Sequence, residues 1–309
     1  MMGSASPHTL PLRRNQGLIW ASQSLFPEAP VANTTLTFEI DGAIDTERFV
    51  AAFDRVVRSS TALRSVIVET ENGPAVAVRS EPPATTEVVD LPGERLDAWA
   101  ADRMSVPLAM DRCGYDSVLV RHGPERSTWY LCVHHVITDA WSSALIFAAT
   151  AAAYSGQEID DPNAGLAAAV SSNGTRSAAV DHWAAVDGST WETSLYRDGP
   201  PTTLSHHIET AFDAERRRRR DHLLDGELRM LSRDLGLLTA FATVVSAFLH
   251  RVGGRDSVRL GIPVHHRRST ETRTAIDLLM EIFPLDLTVE PGDTFRSLHQ
   301  RTGRALVDL

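Results

Sequence analysis

Hydrophobic and polar residues alternate along the chain in patterns that predict strands and helices in turn. Residues 34–41 alternate as a strand, and Asp45 then caps a helix. That helix would bury a face whose members recur every three or four residues: Phe49, Ala52, Phe53, Val56 and Val57. A hairpin is predicted around Asn72 and Gly73, because these residues tolerate the positive φ angles of a tight turn.

The same reading extends to the middle of the chain. It predicts strands at 115–121 and 128–136, followed by a helix that Ser142 caps and that runs to Tyr154, with Gly156 just past its end. The helix would bury a face made of Leu145, Ile146, Ala149 and Ala153. These elements predict a complete α/β lobe.

A second lobe is predicted beyond a stretch, residues 156–180, that has no sustained apolar period. We therefore divide the chain into an N-terminal lobe, 1–170, and a C-terminal lobe, 171–309. The second lobe's predicted elements are helices at 226–235 and 238–251, strands at 257–264 and 282–289, and a helix starting at Asp293 or Thr294. The helix at 238–251 would bury Val244, Val245, Phe248 and Leu249 and stop at Gly253 and Gly254. Since nothing follows the last helix to pack on it, we expect the second lobe to be incomplete.

Composition and net charge exclude some classes of partner. The 309 residues are 43% hydrophobic, enough for two lobes, and 30 basic against 40 acidic residues give a net charge of −10, which argues against nucleic acid as a partner. No apolar run approaches the roughly 18 residues that span a bilayer, and the first residues lack a secretory signal. We therefore expect a cytoplasmic protein with no membrane partner, whose two cysteines stay reduced.

Candidate chemistry is concentrated in WYLCVHHVITDAWSS, residues 129–143. In a strand, His135 would share a face with Trp129 while His134 shares the opposite face with Cys132, so the two histidines would have different roles. A histidine can accept a proton near neutral pH because its unperturbed pKa is about 6.5. Asp139, in the following turn, can reach back to fix the loop.

Other candidate sites are less favoured. The adjacent pairs His206–His207 and His265–His266 lack the spaced ligands of a metal site, so no metal is expected. The run Arg216–Arg220 could meet an acidic carrier protein, but a solvated surface segment is the preferred interpretation. No GxSxG elbow is present, and Cys132 is expected to be a small buried apolar residue. The tryptophans expected to anchor the core are Trp20, Trp141 and Trp183.

At this point the sequence resembles a known family. HHVITDAWS resembles the HHxxxDG signature of the chloramphenicol-acetyltransferase-like superfamily, and its Trp-Ser is similar to that of condensation domains of nonribosomal peptide synthetases. Three further segments resemble family motifs in the same order: NQGLIW at 15–20, ALRS at 62–65, and RLGIPVHHRR with MEIFPLDLTV. The resemblance implies a two-lobed pseudo-dimer in which helices cover a mixed sheet in each lobe.

The resemblance also implies roles for individual residues. His135 matches the catalytic histidine, which accepts a proton from the attacking amine or orients it, whereas His134 matches a structural one. Asp139 matches a structural aspartate whose partner is an arginine matching Arg64. Two residues depart from the family pattern: Ala140 replaces a glycine and Glu281 an asparagine. Together with Trp141, these two are expected to lie along the substrate tunnel.

The implied function is a condensation-type acyltransferase that joins a carrier-tethered acyl or aminoacyl thioester to a free or carrier-bound amine in natural-product biosynthesis. An acyl- or peptidyl-carrier protein would deliver the phosphopantetheine arm, and no cofactor would be bound permanently. The alternative is a catalytically silent module that docks a carrier protein or tailoring enzyme. Intact His135, Asp139 and Arg64 favour the enzyme, whereas Ala140 and a short second lobe favour the silent module. The identities of donor and acceptor, amine or alcohol, and the oligomeric state stay open.

Overall fold

A computed structural model describes residues 9–171 and 210–309 of the chain. The chain divides into two compact units, the first being Met1–Thr175 with His265–Glu281 and the second Arg176–Val264 with Ile282–Leu309. The expected boundary after residue 170 thus falls near the first division, but 265–281 belongs to the first unit rather than to the second lobe. Its polar groups bond to Ser142 and to Asp139, the last residue of the turn at 134–139, which we call the histidine turn. Trp183, His206 and His207 lie outside the described residues.

Within the residues that the structure describes, the first unit contains two sheets. The larger has the strand order β2-β7-β6-β5, with β2 and β6 antiparallel to β7 and β5 parallel to β6. Its strands are β2 (Asn33–Asp41), β5 (Glu87–Asp90), β6 (Tyr115–Gly123) and β7 (Arg126–His134). The smaller is antiparallel, in the order β1-β4-β3, with β1 (Thr9–Pro11), β3 (Ser65–Thr70) and β4 (Gly73–Val78).

Helices cover the larger sheet on both faces. The first unit's helices are α1 (Arg14–Leu25), α2 (Thr46–Ser59), α3 (Leu96–Met104), α4 (Ala140–Tyr154), α5 (Leu166–Ser171) and the short α8 (Thr270–Thr274), with a 3₁₀ turn at Gly93–Arg95. The Trp129 ring of β7 lies 5.3 Å from Phe49 and 5.2 Å from Phe53 of α2. On the opposite face, Tyr130 lies 5.2 Å from Trp99 of α3. The α/β fold is therefore as predicted, and β7 is buried on both faces.

Local sequence signals account for the predicted elements of this unit. Asp45 caps α2 by accepting the backbone N–H of Arg48 at 3.0 Å, and the predicted apolar face of α2 is buried. Gly73 adopts φ 98° after the β3–β4 turn, and Gly156 adopts φ 87° after α4. Cys132 is buried with Val118, Val120 and Tyr130 on the α3 side, as expected for a small apolar residue.

The second unit, within the described residues, contains α6 (Ala214–Asp225), α7 (Arg233–Gly253), β8 (Ser257–Val264), β9 (Glu281–Thr288) and α9 (Phe295–Val307). Strands β8 and β9 pair, and α7 and α9 contribute to one apolar cluster with them: Ala242, Ile262, Leu285, Leu287 and Leu306. Arg216–Arg219 are exposed on α6, as predicted for a solvated segment.

Two predictions for the second unit are wrong. A helix was expected at 226–235, but α6 ends at Asp225 and α7 begins only after Ser232, whose side chain accepts the Leu235 N–H at 3.2 Å. The expected buried face of α7 is also wrong, because Val244, Val245 and Phe248 are exposed. The buried face consists of small residues: Gly236, Thr239, Ala242, Thr243 and Ser246.

By length and composition alone α7 is apolar enough to cross a membrane, against the expectation from sequence, although core helices of globular proteins meet the same criterion.

Candidate active site

Strand β7 ends at His134, two residues earlier than predicted. The N–H of Ile137 bonds back to the carbonyl of His134 at 3.1 Å, which closes a turn after the strand. His135 lies in this turn, and its N–H still reaches the carbonyl of Ala32 at 2.7 Å. The alternation of strand faces therefore places His134 but does not determine where the His135 ring points.

The ring of His135 is held by its own turn. Nδ1 lies 2.6 Å from the carbonyl oxygen of Thr138, and the side chain is half-buried. Because a carbonyl oxygen can only accept a hydrogen bond, Nδ1 must carry the proton in the neutral ring. The lone pair is then on Nε2, so the turn selects the tautomer whose Nε2 can accept a proton.

His134 has the opposite arrangement. It is fully buried, and its Nδ1 accepts the N–H of Val136 at 3.1 Å, so Nε2 carries the proton. Burial, together with the neighbouring His135, lowers the pKa of His134 to about 4. His134 is therefore neutral at physiological pH and supports the backbone of the turn, while the ring of Trp20 lies 6.4 Å away.

Asp139 is the N-cap of α4 and joins the turn to that helix. Its Oδ1 accepts the N–H of Ser142 at 2.9 Å, so Ser142 is not the cap that the sequence predicted. Its Oδ2 accepts the N–H groups of Leu279 and Met280 at 3.1 and 3.2 Å. The carboxylate thus ties the start of α4 to the backbone of residues 277–280.

The cationic partner of Asp139 is Arg267, and the predicted pairing with Arg64 is wrong. Nη2 of Arg267 lies 2.8 and 3.0 Å from the two carboxylate oxygens, and both side chains are buried. Arg64 lies at the start of β3, and its guanidinium instead donates to the carbonyl of Arg79 at the end of β4, at 2.5 Å. Arg267 belongs to the HHRR segment that carried the resemblance, so the signal was present but its partner was not identifiable from sequence.

Further bonds make residues 265–281 a rigid support for the turn. Nη1 of Arg267 donates to the carbonyls of Thr272 and Ala275 at 2.7 and 2.6 Å. The hydroxyl of Ser142 donates to the Asp277 carbonyl at 2.7 Å and accepts the Asp277 N–H at 3.0 Å. A buried ion pair needs hydrogen bonds to its remaining polar atoms, and here both terminal nitrogens of Arg267 are bonded, whereas its Nε is buried without a partner.

Gln16 supports the turn from the other side. It lies in the NQGLIW segment, on α1, and is almost fully buried. Its Nε2 donates to the carbonyl of Val136 at 3.2 Å, while its Oε1 accepts the N–H of Arg13 at 3.0 Å. Sequence reasoning assigned no site role to Gln16, although the motif that contains it was recognised.

The three residues expected along the substrate tunnel have different surroundings. Ala140 is exposed in the first turn of α4, and among the described non-glycine residues only His266 has a positive φ, so the Ala140 methyl meets no backbone strain. Trp141 is 43% exposed, so its predicted role as a core anchor is wrong; its Nε1 donates to the Arg273 carbonyl at 2.9 Å. Glu281 is partly exposed, with Oε2 3.7 Å from Nε2 of His266. The tunnel itself stays a prediction.

Metal and thiol chemistry find no support at these positions. No group of three or more His, Cys, Asp or Glu side chains is arranged to hold a metal within residues 9–171 and 210–309. Nδ1 of His265 accepts the N–H of Arg267 at 3.0 Å, which uses that nitrogen locally. Burial raises the pKa of the Cys113 and Cys132 thiols, so neither is an activated thiolate.

Comparison with known proteins identifies relatives of the chain. It is 28% identical over 96% of its length to an isonitrile lipopeptide synthase of Streptomyces coeruleorubidus, and 23% identical over 93% to a dimodular nonribosomal peptide synthase of Bacillus subtilis. The chain spans only 21% and 13% of these two proteins.

Solved structures share the fold. The first condensation domain of the calcium-dependent antibiotic synthetase, bound to a substrate analogue, matches with a TM-score of 0.80 at 23% identity, over 99% of this chain and 75% of that one. A variant of the starter condensation domain of rhizomide synthetase, in complex with C8-CoA, matches with a TM-score of 0.76 at 22% identity, over 97% and 71%. The condensation-domain profile matches residues 6–309. Because that match covers nearly the whole chain and includes the histidine turn, this protein belongs to the condensation-domain family.

Proposed function

We propose that this chain catalyses amide formation between an acyl or aminoacyl thioester tethered to a carrier protein and an amine, in nonribosomal peptide or related biosynthesis. His135 is the catalytic residue in this proposal. His134, Asp139 and Arg267 hold the turn that carries it. Arg64 is not part of this site, because its guanidinium donates to the carbonyl of Arg79.

The observation that carries the proposal is the bond between Nδ1 of His135 and the carbonyl of Thr138, at 2.6 Å. It leaves Nε2 of a half-buried imidazole as the acceptor. The neighbouring His134 has its Nδ1 bonded to the backbone and its pKa lowered to about 4, so it is unsuited to the same task. One of the two histidines is thereby free to handle a proton.

The chemistry required is modest because a thioester is already activated. Holding the amine against the carbonyl replaces a bimolecular encounter by a fixed geometry, which supplies most of the rate. As the C–N bond forms, Nε2 of His135 accepts or orients the amine proton. The C–S bond then breaks, and the pantetheine sulfur takes up that proton and leaves as a thiol. A positioned base of this kind contributes roughly 10²–10⁴ in rate.

The partners follow from this reaction. A carrier protein brings the acyl group on its phosphopantetheine arm, so the chain needs no permanently bound cofactor. The name of the Bacillus subtilis relative, a nonribosomal peptide synthase, and the substrate-analogue and C8-CoA complexes of the structural relatives support donors and acceptors of this class. We place the protein in the cytoplasm, where Cys113 and Cys132 would stay reduced.

The alternative, a silent docking module, rested partly on Ala140. That support weakens, since Ala140 is an exposed helical residue with no positive φ.

The test is a mass-spectrometric search for amide product from synthetic acyl-pantetheine thioesters and a panel of amines. We expect product from the wild-type chain and its loss in His135→Ala. The matched control is His122→Gln, which alters another half-buried histidine, bonded to Leu91 and Thr128 of the same sheet region. Carrier binding without any product would favour the silent module instead.

A further inference from the structure

We propose that Arg13, assisted by Asn15, is a positioning residue for His135 that acts through the backbone of residues 277–280. The predicted effect on kcat rests on the proposed function, whereas the predicted effect on the His135 tautomer does not. No motif assigned a role to either residue, and neither contacts the imidazole.

The first observation is a two-pronged ion pair. Nη1 and Nη2 of Arg13 donate to Oδ2 and Oδ1 of Asp277 at 3.0 and 2.5 Å, and Nη2 also reaches the carbonyl of Leu278 at 3.2 Å. Asp277 is largely buried, and its partner arginine is about one-third exposed. A guanidinium matches a carboxylate in this geometry, whereas a lysine ammonium can satisfy only one prong at a time.

The second observation is where Arg13 lies in its helix. It is the N-cap of α1, a position that favours Ser, Thr, Asp or Asn because their side chains accept a free backbone N–H. An arginine has no acceptor, and its positive charge is unfavourable beside the positive end of the helix dipole. A residue that violates both local preferences is expected where another task requires it, and here its guanidinium is bonded to Asp277.

Asn15, two residues after Arg13, bonds to the same segment. Its Nδ2 lies 3.0 Å from the carbonyl of Leu278 and 3.3 Å from that of Met280. The first turn of α1 therefore holds residues 277–280 by side chains from two positions. Gln16, from the same turn, holds the carbonyl of Val136 in the histidine turn.

Residues 277–280, which Arg13 and Asn15 hold, also support Asp139. The N–H groups of Leu279 and Met280 donate to Oδ2 of Asp139. Asp139 directly follows Thr138, whose carbonyl oxygen holds the His135 ring. A path of hydrogen bonds and backbone links thus runs from Arg13 through residues 277–280 and Asp139 to Thr138, whose carbonyl holds the His135 ring.

The kinetic consequence follows from geometry. Loosening residues 277–280 would let the turn move by a fraction of an ångström, and displacements near 1 Å can reduce a rate about 100-fold. We expect Arg13→Ala to lower kcat by about 10- to 100-fold with little change in KM, because the ground-state contacts of the substrate are untouched. Arg13→Lys, which keeps the charge but not both prongs, should recover part of the loss.

The matched control is Arg121→Ala. Arg121 forms an equally two-pronged ion pair with Asp90, at 2.8 and 2.7 Å, on the β5–β6 edge of the same unit. Its loss should leave kcat unchanged. Should Arg13→Ala fail to fold, Arg13→Lys and Asn15→Ala carry the same comparison, since each removes only part of the grip.

The deciding experiment reads His135 directly and needs no turnover. The full chain with ¹⁵N-labelled histidine is examined by NMR, with the His135 signals identified by their absence in His135→Gln. We expect the Nδ1–H tautomer in the wild type and in Arg121→Ala, and a mixture of tautomers in Arg13→Ala. An unchanged His135 spectrum in Arg13→Ala overturns the inference. Absence of amide product from the wild type would count against the proposed function alone.

Discussion

Arg267 and Asp139 are 128 residues apart in sequence, yet one guanidinium nitrogen lies within 3.0 Å of both carboxylate oxygens, and the two side chains are 0% and 2% exposed. Removing one partner of such a pair leaves an uncompensated charge in the interior, which is far more destabilising than losing an exposed pair. This relationship determines how the histidine turn is held.

Arg267→Ala should therefore destabilise the chain strongly. We expect the free energy of unfolding to fall by roughly 3–5 kcal/mol in urea titrations, because Asp139 stays buried without its cation. Arg64→Ala, which removes one bond to a backbone carbonyl, should cost only about 1 kcal/mol. If Arg64→Ala lowered the free energy of unfolding more than Arg267→Ala, the pairing of Asp139 with Arg64 predicted from sequence would be supported instead.

His134 should make stability depend on pH. Its pKa is lowered from 6.5 to about 4 in the folded chain, so protonation favours the unfolded state. The stabilisation from keeping it neutral is complete above pH 6.5 and is lost as the pH falls toward 4, by up to about 1.4 kcal/mol per pH unit.

The matching variant is His134→Asn, whose Oδ1 can still accept the Val136 N–H but cannot be protonated in this range. Between pH 6.5 and 4, the unfolding free energy of His134→Asn should decline less steeply than that of the wild type. The difference in slope should correspond to the binding of about one proton, or about 1.4 kcal/mol per pH unit. Parallel curves for the two proteins would mean that His134 titrates normally.

Ala140→Gly should not improve the enzyme. The residue is exposed in the first turn of α4 and has no positive φ, so glycine relieves no strain there. We expect a stability loss of at most about 1 kcal/mol, from the greater flexibility of glycine, and an unchanged rate of amide formation. A marked gain in rate would show that the methyl group obstructs substrate.

At position 266, a glycine substitution should leave the chain more stable than an alanine substitution. Its φ of 52° lies in the left-handed region, which is strained for a side chain with a Cβ atom. Both substitutions remove the contact with Glu281, 3.7 Å away, so their difference isolates the backbone. We expect His266→Gly to be more stable than His266→Ala by about 1 kcal/mol in thermal unfolding. Equal stabilities would mean that the loop relaxes away from this conformation.

Sequence reasoning succeeded where local signals determine structure. The face of α2 that contains Phe49 and Phe53 is buried as its spacing predicted, and Asp45 caps the helix. The alternation in β7 correctly separated Trp129 from Tyr130 and Cys132. The histidine turn was recognised because its motif is contiguous in the chain.

It failed where a distant contact or an ambiguous pattern decides the outcome. A buried aspartate requires a cation, but the chain offers 30 basic residues and no local rule selects Arg267. Helix α7 is apolar on several sides, so no single stripe defines its core face. Its buried threonines bond to their own helix, Thr239 to Leu235 and Thr243 to Thr239 at 2.7 Å, which lets a face of small polar residues pack inward.

The most direct test of the account is the single-turnover rate of amide formation from a carrier-bound acyl group at saturating amine, for the wild type and His135→Ala. The account predicts that the rate falls by roughly 10²–10⁴ while carrier binding is unchanged, because Nε2 of His135 handles the amine proton. A rate in His135→Ala equal to that of the wild type would contradict the assignment of His135 as the catalytic residue.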